Sequence, residues 1–247
     1  LRARDPALGR EVAIKLLHDD APDASAGRRL LGAARAMAGL DHPNVIAVHE
    51  VGEDAGRVFL VMERVSGATL TRWLAAAPRP WRRVLAVFDQ IGAGLAAAHH
   101  AGLIHGDDKP DNVLVGDDQR VRVVDFAMIG DAQVVAVTDP GAVATPGTTQ
   151  QSPPFGTTGY MAPEQLRGEA VDARSDQFSL CVTLYEALFG RAPFAGDDYQ
   201  ARVAAVLAGR VEPPPVDHGV PAAVLAALRR GLAVEPAERW PDVPALM

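Results

Sequence analysis

"LIHGDDKPDNVLV", residues 103–115, places His105, three aspartates, Lys109 and Asn112 between two apolar runs. Asp107 and Asn112 lie five apart, a spacing that suits a tight loop. Two short strands are predicted next, "NVLV" (112–115) and "RVRVV" (120–124), joined by "GDDQ"; Asp125 ends the second. Paired as a ribbon, they would bring the oxygens of Asp107, Asn112 and Asp125 into one cleft. Hard oxygen donors of this kind suit Mg²⁺ shared with phosphates. A further carboxylate can take the proton of an attacking hydroxyl. Lys109 could steady a phosphate as a point charge. A polar hairpin with Asx turns would use the same residues, and spacing alone leaves both readings open.

The composition bounds what such a loop can serve. The chain has 247 residues, 48% of them apolar, enough for one large domain or two lobes. A net charge of −7 argues against nonspecific binding to nucleic acid or to an anionic membrane. One cysteine, Cys181, forbids an internal disulfide and fits a reducing, cytoplasmic setting. No apolar run approaches the roughly 20 residues that span a bilayer, and no secretory signal is present. The first residue is Leu1 rather than Met, so the chain is expected to be a piece of something longer, with any membrane anchor outside it.

Along the chain, "EVAIKLL" (11–17) reads as a strand after a "DPALG" turn. Residues 25–40 read as a helix with Ser25 as N-cap. "VIAVHEV" (45–51) and "RVFLVM" (57–62) read as a hairpin. Near Glu63–Gly67 the texture changes. Residues 81–101 predict a long Ala-rich helix ended near Gly102. Residues 130–158 have no period, and a loop that long is commonly functional. Residues 174–190 are apolar on nearly every side, which predicts a buried helix. Helical patterns recur at 198–208 and 221–232. Lys15, at the end of an apolar strand, either snorkels to solvent or meets an anion.

Six stretches stand in one order: "VAIK" (12–15), "DHPNV" (41–45), "IHGDDKPDN" (104–112), "VVDFA" (123–127), "GTTGYMAPEQ" (156–165) and "SDQFSLCVTLYEALFGRAPF" (175–194). "EPAERW" (235–240) extends the pattern. In this order and spacing the chain resembles the eukaryotic-type (Hanks-type) serine/threonine protein kinases of bacteria, almost from end to end. The resemblance implies an α+β, bilobal fold. Residues 1–65 would form a small β-rich N-lobe, entered at its second strand and lacking the glycine-rich phosphate loop. Residues 66–247 would form a larger, mainly helical C-lobe with an activation loop at 125–164.

It also implies roles. Lys15 would hold the α- and β-phosphates of ATP, and Asp107 would orient and deprotonate a protein Ser/Thr hydroxyl beside Lys109. Asn112 and Asp125 would bind Mg²⁺, with Mn²⁺ as the alternative. Ala13 and Leu114 would sandwich adenine. Met62 would precede the hinge, whose backbone at Glu63–Val65 pairs with adenine. Glu164 would pair with Arg239, Asp176 would anchor the catalytic loop through backbone N–H groups, and Thr157 would lie in the substrate-docking loop. Met37, Val48, His105 and Phe126 would stack as an apolar column, which makes His105 a packing residue. Cys181 would be a small buried hydrophobe.

Departures accompany the match. The helix position that should carry a glutamate for Lys15 holds Ala33. Gly106 replaces an arginine that would meet an activation-loop phosphate, so it bears on regulation and not on the chemical step. Ala127 replaces a glycine after Asp125–Phe126. Asp108 stands where an apolar residue is usual, and the cost of burying a carboxylate predicts that it is exposed or paired. Three functions follow: a protein kinase acting on Ser/Thr hydroxyls with ATP, a pseudokinase that binds nucleotide and scaffolds a partner, and a small-molecule kinase similar to aminoglycoside phosphotransferases. "HGD" with a downstream Asn suits the last; "GTTGYMAPEQ" and the buried helix after "RSD" suit protein substrates. Dimerisation of the parent protein stays open.

Overall fold

The computed structural model describes residues 1–16, 32, 34–54, 57–126 and 159–247. Ser25, Ala33, Ala127 and Thr157 lie outside the described residues. The first sheet contains β1 (Arg2–Asp5), β2 (Arg10–Leu16), β3 (Val48–Asp54) and β4 (Arg57–Glu63), antiparallel in the order β1-β2-β4-β3. The turn between β1 and β2 is closed by Asp5, whose Oδ1 accepts from the N–H groups of Ala7 and Leu8. Gly9, at φ 67°, supplies the left-handed residue that turn needs. In β2, Ala13 faces Met62 and Lys15 faces Leu60 across the ladder. Ala13 and Lys15 are two residues apart, so they share one face of the sheet.

Residues 34–38 are helical. Ala34 packs in a small cluster with Val58 and Leu60, and Met37, one turn on, enters the main core. That turn is one of the ties between the sheet and the rest of the protein.

A second sheet holds β5 (Gly67–Thr69), β6 (Val113–Gly116) and β7 (Val121–Val123) in the order β5-β6-β7. Gly67 sits at φ 153° and passes so close to β6 that a β-carbon there would collide with the Val115 carbonyl. The helices are α1 (Leu70–Ala76), α2 (Trp81–His100), α3 (Pro163–Arg167), α4 (Ala173–Phe189), α5 (Tyr199–Leu207), α6 (Ala222–Gly231) and α7 (Val243–Leu246). Val84, Val87, Phe88, Ile91, Leu95 and Ala98 line one face of α2 at helical spacing and are buried. α4 is buried all round from Ser175 to Tyr185 and ends on Gly190 at φ 67°. Cys181 is fully buried on it, and burial pushes its thiol up to about 12, so it acts as a small hydrophobe. Among the described residues no helix is long and apolar enough to cross a membrane.

Several polar groups brought into this core are matched, although the Thr183 hydroxyl on α4 is not. Ser179 donates to the Tyr160 carbonyl, and Gln177 donates to the carbonyls of Trp240 and Asp242. The largest such knot joins α3 to the C-terminal segment. Arg239 donates from Nη1 and Nη2 to Glu164 at 2.7 and 2.8 Å, and Ser175 donates to the same carboxylate at 2.6 Å. Both charged side chains are buried. Burial alone would raise the Glu164 carboxyl, but the bonds from Arg239 and Ser175 outweigh it and hold the group below its ordinary value of 4.5. Its stabilising contribution is therefore complete above that value and is lost as pH falls below it. Removing one partner leaves a buried, uncompensated charge, so Arg239→Met is expected to cost about 3–5 kcal/mol in urea unfolding. The double variant Glu164→Gln/Arg239→Met is expected to cost less than the sum of the two single changes.

Candidate active site

The ribbon β6–β7 fixes the site's floor. Val113 faces Val123 and Leu114 faces Arg122, and the Val124 N–H continues the ladder by donating to the Asn112 carbonyl at 2.9 Å. Asn112 and Asp125 therefore emerge at the same end of the ribbon. Asp125 has φ 64°, a left-handed conformation uncommon for a residue with a side chain. Its Oδ1 lies 2.9 Å from Lys15 Nζ, so a lysine from the first sheet meets a carboxylate from the second. Each of these side chains is about one-third exposed. The position expected to offer Lys15 a glutamate, on the segment that follows β2, holds Ala33; among the described residues the acidic partner of Lys15 is Asp125.

A second group forms on the loop before β6. Lys109 Nζ donates to Asp107 Oδ2 at 2.6 Å. The Asn112 amide donates from Nδ2 to the Asp107 carbonyl at 2.8 Å and to Asp107 Oδ2 at 3.2 Å. That commits the nitrogen end of Asn112.

The loop itself is held from below. Asp176, in the first turn of α4, is buried and accepts from His105 N at 2.8 Å, Gly106 N at 2.7 Å and His99 Nε2 at 2.7 Å. Two successive N–H groups can converge on one carboxylate only if the chain curls, and Gly106 does so at φ 71°. Glycine takes that conformation without a β-carbon penalty. His105 is fully buried against Phe126, ring centroids 4.8 Å apart, and it also hydrogen-bonds at both ring nitrogens. Nε2 lies 2.9 Å from the Val124 carbonyl, and Nδ1 accepts from Asp107 N–H at 3.2 Å. These partners require the neutral tautomer protonated at Nε2. Met37 and Phe126 belong to the main core, and Val48 packs against it.

The remaining candidates sit on the strand margins. Met62 and Val65 pack against the core from partly exposed positions, as does Leu114. Glu63, the last residue of β4, is gripped on three sides. Its N–H donates to the Ala47 carbonyl, its Oε1 accepts from Ala47 N, and its Oε2 accepts from Arg122 Nε at 3.1 Å. Arg122 is itself buried and is shared with Asp118 at 2.9 Å. This clamp was not foreseen, because neither arginine nor glutamate in a strand carries a periodic signal.

Asp108 departs from expectation. It is neither exposed nor fully paired: it is 2% exposed, and its Oδ2 has no hydrogen-bond partner. The backbone just before it is fixed by Asp176 and His105, at the N–H groups of His105, Gly106 and Asp107. Burial pushes its carboxyl up to about 7, with the neighbouring Asp176 and Asp107 adding to the rise and His105 and His99 opposing it. A carboxyl raised in the folded state stabilises below its unfolded value and loses that contribution as pH climbs through the folded one. The protein is therefore expected to lose about 1 kcal/mol from this group between pH 6 and 7, and less than half of that between pH 7 and 8. Asp108→Asn should abolish that part of the slope in thermal melts at pH 6, 7 and 8.

The sequence matches the protein kinase domain family over residues 1–240. It is similar to the serine/threonine-protein kinase PknL of Mycobacterium tuberculosis, 36% identical over 258 residues, covering 99% of this chain and 59% of that protein. It is also 36% identical to PknA of the same species over 245 residues, covering 96% of this chain and 54% of that one. The DNA damage-responsive kinase RqkA of Deinococcus radiodurans is 37% identical over 204 residues, 81% of this chain and 29% of RqkA. The chain thus spans less than two-thirds of the length of these relatives. With its strand-rich first sheet, its helical remainder and this loop, the chain belongs to the protein kinase domain family, in the company of bacterial Hanks-type serine/threonine kinases.

Proposed function

We propose that this chain transfers the γ-phosphate of ATP to Ser or Thr hydroxyls of proteins. The observation that carries the reading is the convergence of Asp107, Lys109 and Asn112 in one hydrogen-bonded group on the loop that leads into the ribbon ending at Asp125. The acceptor hydroxyl would give its proton to Asp107 as the O–P bond forms. Lys109, already beside Asp107 Oδ2, would move its charge onto the transferring phosphoryl group. Lys15 would hold the α- and β-phosphates. Ala13 and Leu114 would enclose adenine, with Met62 behind it and the Glu63–Val65 backbone along its polar edge. Thr157 would help seat the protein substrate.

The donor set fits a hard divalent cation, Mg²⁺ or Mn²⁺: a carboxylate from Asp125 and the amide oxygen of Asn112 are the ligand types such ions take. When bound, the cation would neutralise phosphate charge. Lys15 and Asp125 would then exchange their mutual contact for phosphate and cation respectively. That contact is also what favours a second reading, in which nucleotide is bound without turnover by a scaffold.

Asp107→Asn separates the two. Transfer of labelled γ-phosphate from Mg·ATP to casein is expected for the wild-type protein and should fall by about 10²-fold or more in the variant, with nucleotide affinity retained. ATP binding without any transfer in the wild type would establish the scaffold instead.

A further inference from the structure

The peptide group between Gly106 and Asp107 carries the backbone of the residue assigned to take the hydroxyl proton. Asp176 does not hold it. Its bonds go to the N–H groups of His105 and Gly106, one peptide earlier. Gly106 has no side chain to be gripped, and glycine tolerates both signs of φ, so the orientation of the 106–107 peptide has to be set by other groups.

Two groups outside the backbone close that joint. The Asp107 N–H donates to His105 Nδ1 at 3.2 Å. On the opposite edge, the Gly106 carbonyl accepts from Gln165 Nε2 at 2.7 Å. Gln165 is anchored in turn: its Oε1 accepts from Ala162 N at 2.9 Å, which caps the start of α3. The two ends of the amide therefore face opposite partners. Reversing it would set oxygen against carbonyl and N–H against N–H. Its neighbour Glu164 is locked in the buried knot with Arg239 and Ser175, so the helix that presents Gln165 is fixed.

We propose that Gln165 is a positioning residue for Asp107, holding the Gly106–Asp107 peptide in the orientation needed for phosphoryl transfer through a neutral amide contact. The assignment rests on the phosphotransfer reading above and adds to it a residue from the helix after the substrate-side loop. It gives that helix a direct mechanical hold on the proton-accepting loop.

The test compares wild-type protein with Gln165→Ala and Gln165→Glu. The glutamate keeps the acceptor for Ala162 N but, as a carboxylate, cannot donate to the Gly106 carbonyl. Steady-state transfer from Mg·ATP to casein gives kcat and the KM for ATP, hydrogen exchange reads the amides of residues 103–109, and thermal melts read stability. Both variants are expected to lose about tenfold or more in kcat with KM for ATP within about twofold, since a small misplacement of a reacting group is costly in rate. Exchange at Gly106 and Asp107 should quicken while the melting temperature stays close to that of the wild type. Unchanged kcat and unchanged exchange in both variants would overturn the assignment. So would a joint collapse of kcat, KM and melting temperature, which marks a merely structural residue. An inactive wild-type protein overturns the phosphotransfer reading and this role together, whereas an active one with unaffected variants overturns this role alone.

Discussion

One buried carboxylate organises the site. Asp176 lies in the first turn of a helix that is enclosed on every side, and it receives three donors: two consecutive backbone N–H groups and an imidazole. A carboxylate so buried is tolerable only when its lone pairs are used. That requirement runs in both directions. The loop must curl to satisfy Asp176, and once curled it presents Asp107, Lys109 and Asn112 together. The grouping of these side chains is thus set by a helix that contributes none of them. Gly106 answers to the same requirement. Its left-handed backbone lets two successive N–H groups reach one acceptor, so glycine here serves the shape of the loop whatever it does for regulation.

The same economy recurs at the next level. α3 offers Glu164 to the buried knot with Arg239 and Gln165 to the loop before β6, from adjacent residues. The knot contributes position more than net stability, since a buried ion pair gains little over a well-packed apolar substitute. Its value lies in making a five-residue helix, too short to persist alone, into a fixed support.

What could be read in the sequence divides by length scale. The long helices α2 and α4 were legible because burial imposes a 3.6-residue period, or apolarity all round, over many residues. The strands β6 and β7 were legible from their apolar runs and the polar turn between them. β1, β5, α1, α3 and α7 went unread, being only three to seven residues long, with no room for a period. At the site, the residue types and the resemblance nominated Asp107, Asn112 and Asp125, and the structure reports their surroundings. The partner of Lys15 was not legible, since no local pattern links β2 to a residue 110 positions later. Asp108 was misjudged for a related reason. The rule that buried charge is costly is sound, but it is a local rule and the loop's fold is set by Asp176 from far along the chain; the cost appears as a carboxyl raised to about 7. Gln165 carried no signal because its partner is a backbone carbonyl remote in the chain, and Arg122 carried none for its bond to Glu63, 59 residues earlier.

The clamp on Glu63 has a consequence for motion. Bonds from Ala47 and Arg122 fasten the end of β4 to both sheets at once. At the other side of the connection, Gly67 is wedged against the Val115 carbonyl with no room for even a methyl group. Between these two fixed points lie only residues 64–66. A second connection lies at the entry to β3, where residues 44–46 are hydrogen-bonded to Val123 of the ribbon. Any swing of the first sheet over the ribbon must turn at both connections or break the grip of Arg122 on Glu63, and on the β4 side the turning chain is three residues long, bounded by a charge pair and a missing β-carbon.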